Sequence, residues 1–369
     1  MEQYIYRNGK KLKYGFTTGT CAAAATKAAV TTLLTGQAPK TVKLQVPKGW
    51  MLELSVETTE IKDDYVLCSI RKDAGDDPDV THDLLISSKV QFHEKNKIIG
   101  GTGVGIVTKE GLPVAIGKAA INPVPMQMIE SVLKNKEKHH FLVEISVPAG
   151  KTVAKKTFNP RLGIKDGISI LGTSGIVEPM SLDAIKDSIM IEFNQMKNHL
   201  QDSIIICPGN YGKDYAIKQG VDEKYLLKIS NFVGFFLERL VESGIKNVLF
   251  VGHIGKLIKI AAGNFNTHSK VSDARIETLV AYGALHGVSQ AVLKKVFNAV
   301  TTDGAIEELL PAINREIFFQ AIVDQIKNKM ESHVYQDLNI EVIMFSNKQG
   351  FLGQTKGVGA LIHEKFKNS

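Results

Sequence analysis

A chain of 369 residues that is 44% hydrophobic and 22% charged carries enough apolar surface for a sizeable core, and its length points to two domains. The net charge of +7 favours acidic partners, but the lysines are dispersed rather than gathered into a tail or an arginine-rich block, which speaks against a nucleic-acid module. Cys21, Cys68 and Cys207 share no paired spacing, so neither a disulfide framework nor a metal site is expected.

In chain order, Lys10, Lys11 and Lys13 precede a Gly/Thr-rich loop that Lys27 follows, a poor signal peptide. No apolar run reaches the roughly 18 residues of a membrane span, so a cytoplasmic chain is expected. Residues Cys21 to Leu34 are alanine-rich and predict a helix entered from that loop. Thr41–Val46 and Met51–Glu57, joined by Pro47–Lys48–Gly49, predict a hairpin. Tyr65–Arg71, Leu84–Phe92, Ile98–Val107 and Phe141–Val147 are further strand candidates. The first domain, placed at 1–158, is therefore expected to be α+β with a mostly antiparallel sheet.

From residue 159 to 369 the pattern becomes alternating. Ile168–Leu171, Ser203–Cys207, Asn247–Val251 and Glu341–Phe345 predict strands. Ile185–Leu200, Phe232–Ser243, Ile254–Ala262, Asp273–Leu285 and Arg315–Met330 predict helices between them. This is the signature of an α/β, Rossmann-like domain with a mostly parallel sheet, whose ligands sit at the carboxyl ends of its strands. Three Gly-containing loops are expected to meet there: Gly172–Gly175, Pro208–Gly212 and Gly252–Gly255.

Four strings bear on chemistry. Gly15-Phe16-Thr17-Thr18-Gly19-Thr20-Cys21 opens a helix, where free amides suit an anion and where Thr18 or Thr20 would equally serve as a plain cap. Gly101-Thr102-Gly103-Val104-Gly105 matches a dinucleotide loop only superficially, because strand rather than helix follows. A glycine-rich strand closely approached by another backbone or a ligand is the better reading. Asp73-Ala74-Gly75-Asp76-Asp77-Pro78-Asp79, with His82 and Asp83 beyond, reads first as a turn and second as a seat for a cationic group such as a sulfonium. The densest polar group is Gly252-His253-Ile254-Gly255-Lys256, then Asn266-Thr267-His268-Ser269-Lys270, then Asp273-Ala274-Arg275. Histidine handles protons near neutral pH, and Lys and Arg grip carboxylates.

Taken together, GFTTGTCAAAATKAA from Gly15, KDAGDDPDVTHD from Lys72, GGTGVGIVTKEGLPVAIGKAAINPVPMQMI from Gly100, FNPRLGI from Phe158, GISILGTSGIVEPMS from Gly167, PGNYG from Pro208 and VGHIGKLIKIAAGNFNTHSKVSDARIE from Val251 resemble the CbiD family of cobalt-precorrin-5B C1-methyltransferases. The strings stand in the family's order and span both halves. Met126, where the family commonly has a basic residue, and Lys118, often acidic there, are departures. The resemblance implies methylation of cobalt-precorrin-5B at ring carbon C1 to give cobalt-precorrin-6A, in anaerobic cobalamin biosynthesis, with S-adenosylmethionine as donor and an anionic cobalt-tetrapyrrole as partner. Cobalt would arrive inside the substrate, so no protein-bound metal is implied.

On that footing His253, His268, Asp273 and Glu178 are the candidate catalytic residues. Gly172, Thr173, Ser174, Gly209, Asn210 and Gly252 are candidates for the donor, since small residues permit close backbone approach. Thr17, Thr18, Lys256, Lys270 and Arg275 are candidates for the substrate. The chain is expected to bind neither nucleic acid nor membrane, and a homo-oligomer is compatible with it. Two rival readings are another corrinoid-pathway enzyme, distinguished by cobalt-free substrate, and an NAD(P)-dependent oxidoreductase. The latter requires a ribose-binding acid at the end of the second strand.

Overall fold

The alanine-rich run forms the helix Thr18–Thr35. Thr17, in extended conformation, caps it by accepting from the Thr20 amide, and Gly36 ends it in the left-handed region. Its Ala22, Ala23, Ala24, Ala25, Ala28 and Ala29 are fully buried, so small side chains let the helix lie close on the sheet beneath. Thr26 bonds both the Ala22 carbonyl, at 2.8 Å, and Ser88 of that sheet, at 2.9 Å.

A computed structural model describes residues 3–7, 9–134 and 139–366. The chain divides into two compact units, Met1–Ile185 and Lys186–Ser369. In the first, five strands lie in the order Thr58–Ile61, Val66–Arg71, Leu85–His93, His140–Ser146, Lys97–Gly100. All neighbours are antiparallel except the last pair, which is parallel. The predicted hairpin is present as Thr41–Gln45 with Met51–Ser55, turning at Gly49 with φ +85°. The helix Pro123–Lys134, which the sequence reading passes over, also packs on the first helix: a Cβ on Gly19 would lie 2.6 Å from Pro125.

Two expectations are corrected here. The strand predicted over Ile98–Val107 is broken into Lys97–Gly100 and Ile106–Val107, because Gly101 to Gly105 turn through close backbone contacts. Ile168–Leu171 is not a strand of a second-domain sheet. It makes only isolated bridges, Val104 to Ile168 and Ile121 to Ile170, and residues 159–185 pack with the first unit. Ile164–Lys165 pairs with Ile106–Val107, and Ile176–Val177 pairs with Gly15–Phe16, which holds that stretch in place.

The second unit is built on five strands in the order Leu226–Lys228, Ser203–Cys207, Asn247–His253, Asn339–Ser346, Gly350–Gln354. The first four are parallel and the last is antiparallel. Alternate residues of its central strands feed opposite faces. Ile204, Ile206, Val248, Phe250, Val342 and Met344 join a core with helices Val233–Glu242, Ile254–Ala261 and Arg315–His333. Ile205, Cys207, Leu249, Val251, Ile343 and Phe345 join a smaller one with helices Asn210–Lys218 and Val358–Leu361. Near-continuous apolar runs such as Ser203–Cys207 are what a sheet covered on both faces requires. Among the described residues, no helix is long and apolar enough to cross a membrane.

Candidate functional site

In the second unit, strand order reverses between Ser203–Cys207 and Asn247–His253: the connection from the former runs outward to Leu226–Lys228, and the chain then returns to its other side. Open parallel sheets bind ligands outside the carboxyl ends of strands at such a point. The segments that leave those ends are Pro208–Gly212 and Gly252–Lys256. Lys256 joins them, its ammonium donating to the Pro208 carbonyl at 2.8 Å. Gly209 is extended, and among the described residues only the Lys256 ammonium, at 3.8 Å, would lie within 4 Å of a Cβ added there. Beside it, Lys228 donates to Asn210 Oδ1 at 3.0 Å. Burial, and secondarily Lys259, pulls the Lys256 ammonium below the usual lysine range. The result is a half-buried cation beside two helix starts, an electrostatic setting that favours carboxylates.

His253 ends the central strand and caps the helix Ile254–Ala261. Its Nδ1 accepts from the Gly255 amide at 3.0 Å, so the neutral ring carries its proton on Nε2. That Nε2 is buried without a hydrogen-bond partner, 3.9 Å from Asp303, and the Thr302 hydroxyl next to it is also unpartnered. Asp303 is itself held by Ser346 at 2.6 Å. In this geometry His253 offers a proton and has no free lone pair to accept one, which removes it as a ready general base. Burial lowers its pKa, against the pull of Asp303. A depressed folded-state pKa means that its contribution to stability is present above the unfolded value and lost as pH falls. The melting temperature should therefore decline as pH drops from about 7 towards 5. In His253→Asn, which keeps a cap but cannot titrate, that decline should be shallower; an unchanged slope by calorimetric scanning would show that His253 does not cause it.

The other second-unit candidates lie farther along the same segment. His268 and Lys270 are exposed, and His268 Nδ1 accepts from the Lys270 amide at 3.1 Å. Asp273 is held by Arg275 through two bonds of 2.6 and 2.7 Å. That guanidinium, ahead of the Lys259 charge, keeps the carboxyl below the usual range. Asp273 is thus a poor proton acceptor and Arg275 is engaged rather than open. Lys259, which the sequence reading does not single out, is buried and donates to the Thr267 and Ser272 carbonyls at 3.1 and 3.0 Å. It pins the loop that carries His268 and Asp273. We expect Asp273→Asn and His268→Gln each to leave the pH profile of turnover unchanged; a lost acidic limb in either variant would restore it as the base.

The first unit holds the remaining candidates, and their placement differs from the expectation. Gly172–Gly175 does not stand at the end of a parallel strand; it caps the Thr18–Thr35 helix. The Gly19 amide donates to the Leu171 carbonyl at 3.0 Å and the Thr17 amide to Gly175 at 3.2 Å. Thr18 exchanges hydroxyl bonds with Leu171, and Thr20 donates to Gly175 at 2.6 Å. Thr17 and Thr18 are buried, so their hydroxyls are spent internally. Thr173 is exposed, and Ser174 bonds the Ile176 amide at 3.2 Å. Glu178 is paired with Arg7 and lies 3.7 Å from Lys48. Buried Cys21 has its thiol pushed up to about 12 by desolvation, which makes it inert.

A cleft of about 370 Å³ in this unit lies among Tyr14, Phe16, Trp50, Ile176, Lys13 and Asp73. Nothing in the sequence reading singled out Tyr14 or Trp50, because a hairpin turn and an approach to a helix carry no motif of their own. Thr302 and Asp303 could have been found: Thr301-Thr302-Asp303 ahead of an apolar run is a helix start, and Thr301 does cap Thr302–Leu309. No acidic residue closes the strand Leu226–Lys228, the second of its sheet in chain order, so the dinucleotide expectation lacks its ribose partner.

Comparisons with known proteins converge. The profile of the family described as CbiD matches residues 5–179, and that of the CbiD C-terminal domain matches residues 266–356. A cobalt-precorrin-5B C(1)-methyltransferase of Thermoanaerobacter sp. (strain X514) is 50% identical over 359 residues, covering 96% of this chain and 98% of its own. The same enzyme of Alkaliphilus metalliredigens (strain QYMF) is 46% identical over 367 residues, covering 98% and 97%. That of Clostridioides difficile (strain 630) is 40% identical over 407, covering 98% and 99%. A crystal structure of a cobalamin biosynthesis protein (cbiD) from Archaeoglobus fulgidus aligns with a TM-score of 0.40 and 30% identity over 74% of this chain and 86% of that one.

Proposed function

The chain belongs to the CbiD family, and from that premise we propose that it methylates cobalt-precorrin-5B at ring carbon C1, giving cobalt-precorrin-6A, with S-adenosylmethionine as the donor. The observation that carries this reading is identity of 50% to a curated methyltransferase over nearly the whole of both chains. In the step, the ring carbon's π electrons form the new carbon–carbon bond, the carbon–sulfur bond breaks, and sulfur keeps its electron pair. Positive charge passes from sulfur to the macrocycle unless a ring proton leaves. The donor is already activated, so alignment supplies most of what the protein must contribute. Cobalt is part of the substrate.

We read the second unit's sheet as Rossmann-like and assign its strand-end crevice to peripheral carboxylates of the tetrapyrrole. Lys256 supplies the charge, Gly209 permits close backbone approach, and Asn210 with Lys228 borders the opening, whereas Gly252 is filled in by Leu257 and Pro208. His253 keeps Nε2–H buried beside Asp303 and Thr302, so its neutral ring caps the helix and orders the strand end rather than removing a proton. Lys270 and His268, being exposed, suit an outer contact with the same anionic ligand, and Lys259 pins the loop that carries them. The test is transfer of a labelled methyl group from S-adenosylmethionine to cobalt-precorrin-5B, with the cobalt-free macrocycle in parallel. Label at C1 is the expected result; none, with substrate that a relative's enzyme accepts, would remove the reading.

A further inference from the structure

The first unit's cleft is lined by two chemically different groups. In one, Tyr14 and Trp50 meet edge to face with ring centroids 5.2 Å apart. The Lys48 ammonium lies 5.2 and 5.0 Å from the two centroids and is tied to Glu178, which holds both rings in place. In the other, Lys13 and Asp73, which line the cleft together with Glu53, form an ion pair of 2.9 Å whose side chains are 39% and 36% exposed. Phe16 and Ile176 lie among the apolar lining. Three strings that carry the family resemblance converge here, through Gly15 and Phe16, through Asp73 and through Ile176. The loop 73–77 is shaped around this place: the Lys13 amide donates to Asp76, the Phe16 amide donates to the Asp73 carbonyl, and a Cβ on Gly15 would overlap the backbone of Ala74.

We propose that this cleft binds a planar nucleoside bearing an α-amino acid, the class to which the methyl donor and its demethylated product belong, with the base against Tyr14 and Trp50 and the zwitterion against Lys13 and Asp73. An ammonium and a carboxylate side by side are the complement of an amino acid's own two charges. A third-exposed pair is weak, so a ligand's own carboxylate and ammonium compete for it while Asp73 keeps its bond from the Gly75 amide. Aromatic walls bind purine faces, and about 370 Å³ lies at the small end of ligand-site volumes, suited to a nucleoside and too small for a tetrapyrrole with its side chains. The neighbouring groove of about 550 Å³, lined by Lys27, Val30, Leu44, Gln127 and Met128 among others, has neither an aromatic wall nor a carboxylate. The inference rests on the methyltransferase reading, because that reading supplies the ligand class.

Trp50 is the only tryptophan of the chain, so its emission reports on the cleft without labelling. Titration of the full chain with S-adenosylhomocysteine should change that emission saturably. Lys13→Met and Asp73→Asn should each weaken S-adenosylhomocysteine about tenfold while leaving adenosine, which lacks the amino acid, within about twofold. Trp50→Phe should abolish the signal yet bind by calorimetry. Calorimetric binding with a silent Trp50 and unchanged affinity in both charge variants would overturn the cleft and leave the methyltransferase reading intact. No binding by either method would also overturn it, while label transfer to the tetrapyrrole decides the reading separately.

Discussion

Gly103→Ala is expected to cost the first unit about 4 kcal/mol or more, enough to leave much of it unfolded at room temperature. Gly103 has φ +74°, a region that costs a residue with a Cβ roughly 1–2 kcal/mol. The larger part is steric. A Cβ there would overlap the Val147 carbonyl oxygen and lie 3.1 Å from the Gly150 amide, and backbone has no rotamer with which to retreat. The position cannot relax, because three segments are bonded through it: the Ile168 amide donates to the Gly103 carbonyl at 3.0 Å, Val147 to Thr102 at 2.8 Å and Gly150 to Val147 at 2.7 Å. A Cβ on Gly150 or on Gly167 would overlap the same Gly103 carbonyl. Gly36→Ala is the control. Its φ is +71°, but nothing lies within 4 Å of an added Cβ, so about 1 kcal/mol is expected. Urea unfolding followed through Trp50 emission measures both within the first unit. Equal midpoints for the two variants would show that the interlocked backbone is not rigid.

The same glycines show what the sequence could reveal. Gly101 to Gly105 lacks the strand-before-helix context of a nucleotide loop, and the expected close approach of other backbone agrees with the contacts of Gly103 and Gly105, although the segment turns instead of continuing as strand. Periodicity was enough for helices such as Thr18–Thr35 and Arg315–His333 and for the strands of the second sheet, where length and apolar runs leave little choice. It was not enough for Gly172–Gly175. An apolar stretch followed by Gly-Thr-Ser-Gly resembles a strand running into a phosphate loop, and only long-range bonds from Gly19 and Thr20 reveal it as a cap. In the candidate site, Gly252 to Lys256 was legible because it follows a strongly apolar strand. The tautomer of His253 and the capture of Asp273 by Arg275 were not, since both depend on the orientation of side chains that are neighbours in sequence at any fold. Trp50, at a hairpin turn, and Lys13, in a strand of another pair, line one cleft from separate segments, which local patterns do not encode.

Lys256→Met is expected to lower kcat/KM for the tetrapyrrole about 10- to 100-fold, through KM, with kcat little changed. The ammonium has one internal acceptor, the Pro208 carbonyl, leaving donors available to a carboxylate, and its half-buried place makes each such bond stronger than at an open surface. Methionine preserves the apolar stem but leaves the anion unmatched. Because burial holds this group below the ordinary lysine range, wild-type kcat/KM should fall on the alkaline side at a pH lower than an unshifted lysine would give. The variant should lose that limb, and Lys256→Arg, charged at all working pH, should shift it out of range. Loosening of Pro208–Gly212 would also reduce activity, but it would lower the melting temperature and leave the alkaline limb where it was. A KM unchanged in Lys256→Met would move the substrate's carboxylates away from this crevice and onto other cations.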